Sequence, residues 1–145
     1  MAPLQKRALY GVAFGVLWAI AIVAVFLLKG GAGNFSEDVQ FRSIIDGLWI
    51  GGLIAYLILF ETLLHKPGKV DERDKLIMAW APAIQWRAVI FTMAAWVIAL
   101  SEVYHEQGQI PVIFLFIVFM SILIVSMIAQ CAGILVGYWR MNRNG

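Results

Sequence analysis

Four long apolar runs, separated by short polar segments, make up most of this chain. A helix needs about 20 residues to cross a hydrocarbon core of about 30 Å, and each run is close to that length or longer. The pattern predicts an all-α integral membrane protein in which one transmembrane domain, residues 1–145, forms a four-helix bundle. The predicted spans are residues 8–28, 43–64, 88–104 and 112–139.

The third span continues a helix that begins well before it. Asp71 suits an N-cap, and a helix from Asp71 to Tyr104 contains 34 residues. At 1.5 Å per residue it is about 51 Å long, so part of it must lie outside the hydrocarbon core. Pro82 permits a kink and Arg87 suits the membrane interface. We therefore predict that residues 71–87 form a helical foot at the cytoplasmic surface.

Lysine and arginine residues are divided unequally between the two sides of the predicted spans. Two of the eleven, Lys29 and Arg42, fall on one side. Because cytoplasmic segments carry the excess of positive charge, the larger group is expected in the cytoplasm, which predicts an N-in and C-in topology. The nine residues of that group are Lys6, Arg7, Lys66, Lys69, Arg73, Lys75, Arg87, Arg140 and Arg143.

Composition narrows the class of protein further. Hydrophobic residues make up 62% of the chain and charged residues 14%, so lipid is the expected surrounding. The net charge of +2 is dispersed among apolar runs, which predicts no nucleic-acid partner. Cys131 is the single cysteine, and the sequence contains no P-loop and no Gly-x-Ser-x-Gly motif. We therefore expect no cofactor, no metal site and no enzyme activity.

Small residues recur at four-residue spacing in three of the spans. Such a stripe lines one face of a helix and lets a neighbouring backbone approach closely. Two interpretations follow: the stripes pack the helices within one bundle, or at least one stripe forms a dimer interface. The three sets are Gly11, Gly15 and Ala19; Gly47, Gly51 and Ala55; and Ala129, Gly133 and Gly137.

Three ionisable residues lie within or beside the predicted spans, where charge is costly unless it is paired or functional. Asp46 has two local explanations, a capping-box spacing with Ser43 and an ion pair with Arg42. Glu61 and Arg87 fall at similar predicted depth, and we predict an ion pair between them. The functional alternative is that Glu61 or Asp46 binds a coupling proton or cation.

A strip of polar residues runs along the fourth span. Ser121, Ser126 and Gln130 are separated by five and four residues. Side chains of this kind hydrogen-bond across helices in membrane bundles. We therefore predict interhelical hydrogen bonds here in preference to a substrate path.

The densest cluster of charge resembles a family motif. In small uncharacterised prokaryotic membrane proteins with four spans, an Asp-Glu-Arg-Asp-x-x-Ile segment precedes the third span, and residues 71–77 of this chain are similar to it. The resemblance implies the same architecture in a bacterial or archaeal cytoplasmic (inner) membrane, and it implies no activity. The charged part is either a solvated helix start or a docking segment for a cytoplasmic partner. It comprises Asp71, Glu72, Arg73, Asp74 and Lys75.

These observations favour a small multi-pass membrane protein without catalytic activity. The leading hypothesis is an accessory or regulatory subunit that binds another protein or a second copy of itself, because the connectors are short and several helices carry small-residue stripes. The alternative is a small ion-coupled transporter that uses Glu61 or Asp46 as the coupling acid. A membrane enzyme ranks last, since no nucleophile, metal or acid–base set is recognisable.

Overall fold

Four α-helices account for nearly all of the described chain. The computed structural model describes residues 2–61 and 71–143. Each helix is long and apolar enough to cross a membrane, and no strand occurs within these two ranges. The predicted all-α, four-helix membrane architecture is therefore confirmed. In chain order the elements are α1 (Pro3–Leu28), a short 3-10 helix (Ala32–Ser36), α2 (Val39–Phe60), α3 (Glu72–Tyr104) and α4 (Ile113–Arg143).

Helix α2 begins four residues earlier than predicted because another residue caps it. The Asp38 side chain accepts a hydrogen bond of 3.0 Å from the backbone N–H of Phe41, which makes Asp38 the N-cap. Ser43 therefore lies inside the helix, and the predicted capping box of Ser43 and Asp46 is wrong. The predicted end of the second span at Leu64, together with His65, Lys66, Lys69 and the turn at Pro67 and Gly68, lies outside the described residues.

Helix α3 is continuous through Pro82 and contains 33 residues. Asp71 is its N-cap, as predicted, and forms a capping box with Asp74. The helix is about 50 Å long, which exceeds a hydrocarbon core of about 30 Å. The assignment of residues 71–87 to a cytoplasmic foot follows from that length and stays a prediction.

Helix α4 is the centre of the bundle. Helices α3 and α1 both pack extensively against it, whereas α2 packs mainly on α1 and on the 3-10 helix. One buried cluster joins Leu4 of α1 and Ile77 of α3 to Ile134 of α4. A second joins Trp18 of α1 to Met120 and Ile124 of α4. Close van der Waals packing of these side chains, which fill the space between the helices, is what holds α1, α3 and α4 together.

Trp18 fixes α2 against α1. Its indole Nε1 donates a hydrogen bond of 3.1 Å to the backbone carbonyl of Leu48. The indole ring lies directly against the backbone of Gly52, where any Cβ atom would overlap it. A glycine at this position is thus required for the two helices to approach each other.

The connector between α1 and α2 contains an ion pair between its two ends. Lys29 Nζ lies 3.2 Å from Asp38 Oδ2, and the Phe41 ring packs edge-on against Phe26 and Phe35. The chain can turn tightly here because Gly30 adopts a positive φ of 83°, which L side chains rarely adopt. These contacts set the angle at which α2 leaves α1.

Candidate functional site

Two of the three small-residue stripes are occupied by neighbouring helices. A Cβ at Gly133 would lie 3.3 Å from the Ala81 Cα, and one at Gly137 would lie 3.0 Å from Ile77 of α3. A Cβ at Gly15 would lie 2.6 Å from Ile128 of α4, and Gly11 is also buried. These glycines therefore serve packing within the bundle.

In the third stripe, on α2, Gly47 and Gly51 are not covered by any described residue, whereas Ala55 is half-buried. A Cβ added at Gly47 or Gly51 meets no described atom within 4 Å. The exposed residues around them occupy one side of the helix, opposite the side that contacts Trp18. We call this surface the open α2 face; it comprises Asp46, Gly47, Ile50, Gly51, Ile54, Leu57, Ile58 and Glu61.

The two carboxylates of α2 lie on this same face. Asp46 and Glu61 are both exposed and are 15 residues apart, which is just over four helical turns or about 22 Å along the axis. Arg87 is exposed on α3. Within the described ranges the ion pair present joins Lys29 to Asp38, and none joins Glu61 to Arg87 or Asp46 to Arg42. The predicted Glu61–Arg87 ion pair is thus not seen among the described residues, where α3 packs mainly on α4 and α2 mainly on α1.

Polar side chains of α4 bind α3, as predicted. Gln85 Nε2 donates to Ser126 Oγ at 2.6 Å, and Trp96 Nε1 donates to Ser121 Oγ at 2.7 Å. Gln130 is buried one turn further along. The strip therefore forms interhelical hydrogen bonds, which orient α3 on α4 in addition to apolar packing.

The charged segment at the start of α3 is divided between inward and outward positions. Asp74 is buried at 8% exposure, and its Oδ1 accepts a hydrogen bond from the Tyr138 hydroxyl of α4. Arg73 is half-buried, with its guanidinium 5.6 Å from the centre of the Tyr138 ring. Glu72 and Lys75 are exposed. Part of the predicted docking segment thus joins α3 to α4.

The starts of α1 and α3 and the end of α4 meet at what we call the basic end of the bundle. Its cations are Lys6, Arg7, Arg73, Lys75, Arg140 and Arg143. Besides Arg73, two of them lie over aromatic rings: Arg140 is 5.2 Å from the Trp80 ring centre and Arg143 is 5.6 Å from that of Trp139. Such contacts hold the cationic side chains near the helix ends while leaving their charge available to solvent.

A polar cavity of about 340 Å³ opens at the basic end. Arg73 is the cation in its lining, and its Nη2 donates to the Tyr138 carbonyl at 3.4 Å and to Asn142 Oδ1 at 3.3 Å. The Nε of Arg73 is buried and has no acceptor among the residues described. The lining consists of Ala2, Gln5, Arg73, Tyr138, Trp139 and Asn142.

A second cavity, of about 280 Å³, lies between α2 and the rest of the bundle. Its lining is almost wholly apolar and includes Phe26, Trp49 and Phe116. The Trp49 ring contacts Phe116 and Phe119 of α4, yet its buried Nε1 has no acceptor in the described part of the chain. The cavity shows that α2 contacts α4 through a few aromatic side chains and leaves space between the helices.

Several of these contacts were not predicted from the sequence. The four-residue stripe selects Gly51 and misses Gly52, although Gly52 continues the spacing of buried Phe41 and Ile45 and half-buried Leu48. The residues of the polar cavity come from three chain segments, and no local pattern joins them. In residues 2–61 and 71–143, no group of three metal-ligating side chains occurs.

Comparison with known proteins identifies no relative. No protein-family model, no curated protein and no solved structure matches this chain. The fold alone defines its class, a small membrane protein with four membrane-spanning helices.

Proposed function

We propose that this protein is a non-catalytic accessory or regulatory subunit that binds another membrane protein through the open α2 face. The observation that supports this proposal is the contrast among the three stripes. Those of α1 and α4 are covered within the bundle, whereas Gly47 and Gly51 face outward with no described atom within 4 Å of an added Cβ. In membranes, small residues on a helix face allow the backbone of a second helix to approach closely.

The position of Asp46 supports the same proposal. It lies seven residues, or about 10 Å, inside the start of α2. An ionisable side chain at such depth is costly when it faces hydrocarbon. A partner helix with a hydroxyl or cationic group at the same level would satisfy this carboxylate. The partner we propose is therefore a transmembrane helix of a different protein, carrying small residues and one donor group.

In this proposal the basic end faces the cytoplasm. Both termini then lie inside, the membrane is a bacterial or archaeal cytoplasmic membrane, and the chain groups with the small four-span proteins whose motif it resembles. Glu72 and Lys75, the exposed part of the charged segment, are then available to a cytoplasmic region of the same partner.

Affinity purification from native membranes tests the proposal. The tagged wild-type protein is expected to retain a companion membrane protein that Gly47→Leu loses, because leucine blocks close helix approach. Ala94→Leu is the matched control, since Ala94 is exposed on α3 away from the open α2 face. A clean wild-type preparation, or equal retention by both variants, contradicts the proposal. Recovery of a second, differently tagged copy as the sole companion shows a homodimer instead.

A small ion-coupled transporter is the alternative function. It rests on the alignment of Asp46 and Glu61 along one helix face. In a single copy these acids face outward, so a carrier would need a second helix surface to enclose them. Proton-coupled flux in proteoliposomes that is lost with Glu61→Gln would favour this alternative over the subunit.

A further inference from the structure

We infer that the polar cavity at the basic end binds a phosphate group, with Arg73 as the anchoring cation. Among the described residues the guanidinium donates only to neutral acceptors, the Tyr138 carbonyl and the Asn142 side chain. Within the described residues no carboxylate lies within 4 Å of it. Its charge therefore remains available to an anion that enters the cavity.

The carboxylate of Asp74, the residue that follows Arg73, is occupied by other groups. Asp74 accepts from the Tyr138 hydroxyl and from the backbone N–H of Asp71. This arrangement keeps Asp74 turned toward α4 and the helix start instead of pairing it with Arg73. A guanidinium commonly binds a carboxylate or a phosphate through two parallel hydrogen bonds, and the contacts of Asp74 leave this capacity of Arg73 unused by that carboxylate.

The lining of the cavity suits the oxygen atoms of a phosphate. The Nε of Arg73 has no acceptor among the described residues, and the planar N–H donors of a guanidinium match phosphate geometry. The amide of Gln5 adds a further donor from α1. Basic pockets between transmembrane helices bind anionic lipid head groups in this way. The phosphate belongs either to such a lipid or to a soluble phosphate compound. In both cases Arg73 would recognise the phosphate group itself.

The first arm of the test measures lipid binding by the full-length protein. The protein is reconstituted in nanodiscs of phosphatidylcholine with phosphatidylglycerol, and the lipid retained after extraction is measured by native mass spectrometry. Arg73→Gln is expected to lower phosphatidylglycerol retention roughly tenfold, as expected for lost charge-assisted hydrogen bonds. Lys75→Gln is the matched control, because Lys75 lies two residues after Arg73, is exposed and does not line the cavity. Phosphatidylglycerol retention by this variant is expected to stay within about twofold of wild type.

The second arm uses inorganic phosphate. In nanodiscs of phosphatidylcholine alone, the Tm is followed with sodium phosphate and with sodium chloride at equal ionic strength. If phosphate raises the Tm and Arg73→Gln abolishes this rise, the ligand is a soluble phosphate compound. If phosphatidylglycerol is retained without such a rise, the ligand is a lipid.

The inference is overturned if neither arm separates Arg73→Gln from wild type, or if Lys75→Gln loses as much phosphatidylglycerol as Arg73→Gln. Should Arg73→Gln fail to fold, Arg73→Lys and Asn142→Ala replace it, and wild-type binding by both overturns the inference. None of these outcomes depends on the open α2 face.

Discussion

Helices α4 and α2 are both long and apolar, yet they occupy opposite roles in the bundle. Two helices pack extensively against α4, and its glycines and serines contact α3. Helix α2 is held mainly by Trp18 of α1, and its glycines other than Gly52, namely Gly47 and Gly51, face outward. This difference shows that apolar character places a helix in the membrane, whereas the position of that helix within the bundle depends on which of its small and polar residues contact other helices.

The largest effect is expected at the joint between α1 and α2. Gly52→Leu would drive a side chain into the Trp18 ring, and overpacking of this kind costs about 3 kcal/mol of unfolding free energy. Gly47→Leu is the matched control, because it enters open space and is expected to stay within about 0.5 kcal/mol. Unfolding in detergent measures both. Equal destabilisation by the two variants would contradict the assignment of Gly52 as the contact residue.

The second-largest loss of unfolding free energy is expected at the buried contact between Asp74 and Tyr138. Tyr138→Phe removes the hydroxyl that donates to Asp74, and leaving a buried acceptor unsatisfied costs about 2 kcal/mol. Tyr10→Phe, at an exposed position on α1, is expected to change the unfolding free energy little. The same unfolding measurement compares them. If Tyr138→Phe is as stable as Tyr10→Phe, this hydrogen bond does not hold α3 on α4.

The hydrogen bond between Gln85 and Ser126 is expected to contribute less to the unfolding free energy than the contact between Asp74 and Tyr138. Hydrogen bonds between membrane helices average about 0.6 kcal/mol in double-mutant cycles, since the unfolded protein in the membrane also finds partners. A cycle of Gln85→Leu, Ser126→Ala and the double variant isolates this pair from other contacts of either residue. Additive effects of the two single changes would show that the bond contributes nothing to the α3–α4 contact.

The smallest effect is a pH dependence at the connector that positions α2. The backbone amide of Phe41, and then Lys29, lower the pKa of the Asp38 carboxyl below its ordinary value of 3.8. A carboxyl whose pKa is lower in the folded protein stabilises it above that ordinary value, and the stabilisation is lost as the pH falls through the folded-state pKa. The Tm difference between wild type and Asp38→Asn is therefore expected to shrink below about pH 4. Glu37→Gln is the control, and an Asp38→Asn difference that stays constant to pH 2 would refute this role.

The candidate surfaces were only partly predictable. The acidic helix start at Asp71 could be recognised because capping is a local interaction between residues close in sequence. The inward turn of Asp74 could not, because its partner Tyr138 is 64 residues away. Likewise, the stripe pattern identified Gly47 and Gly137 as equivalent, and only their surroundings separate an open face from a packed one.

The class of this protein could be predicted from the sequence alone: four helices of membrane-spanning length, with polar residues concentrated in the connectors and at the helix ends. This is possible because the transfer of an apolar segment into lipid depends only on its composition and length. Only the tertiary structure decided that α4 is central, that α2 presents an open face and that Arg73 borders a cavity. Lipid chains are as apolar as leucine, so hydropathy cannot distinguish a helix face that meets protein from one that meets lipid.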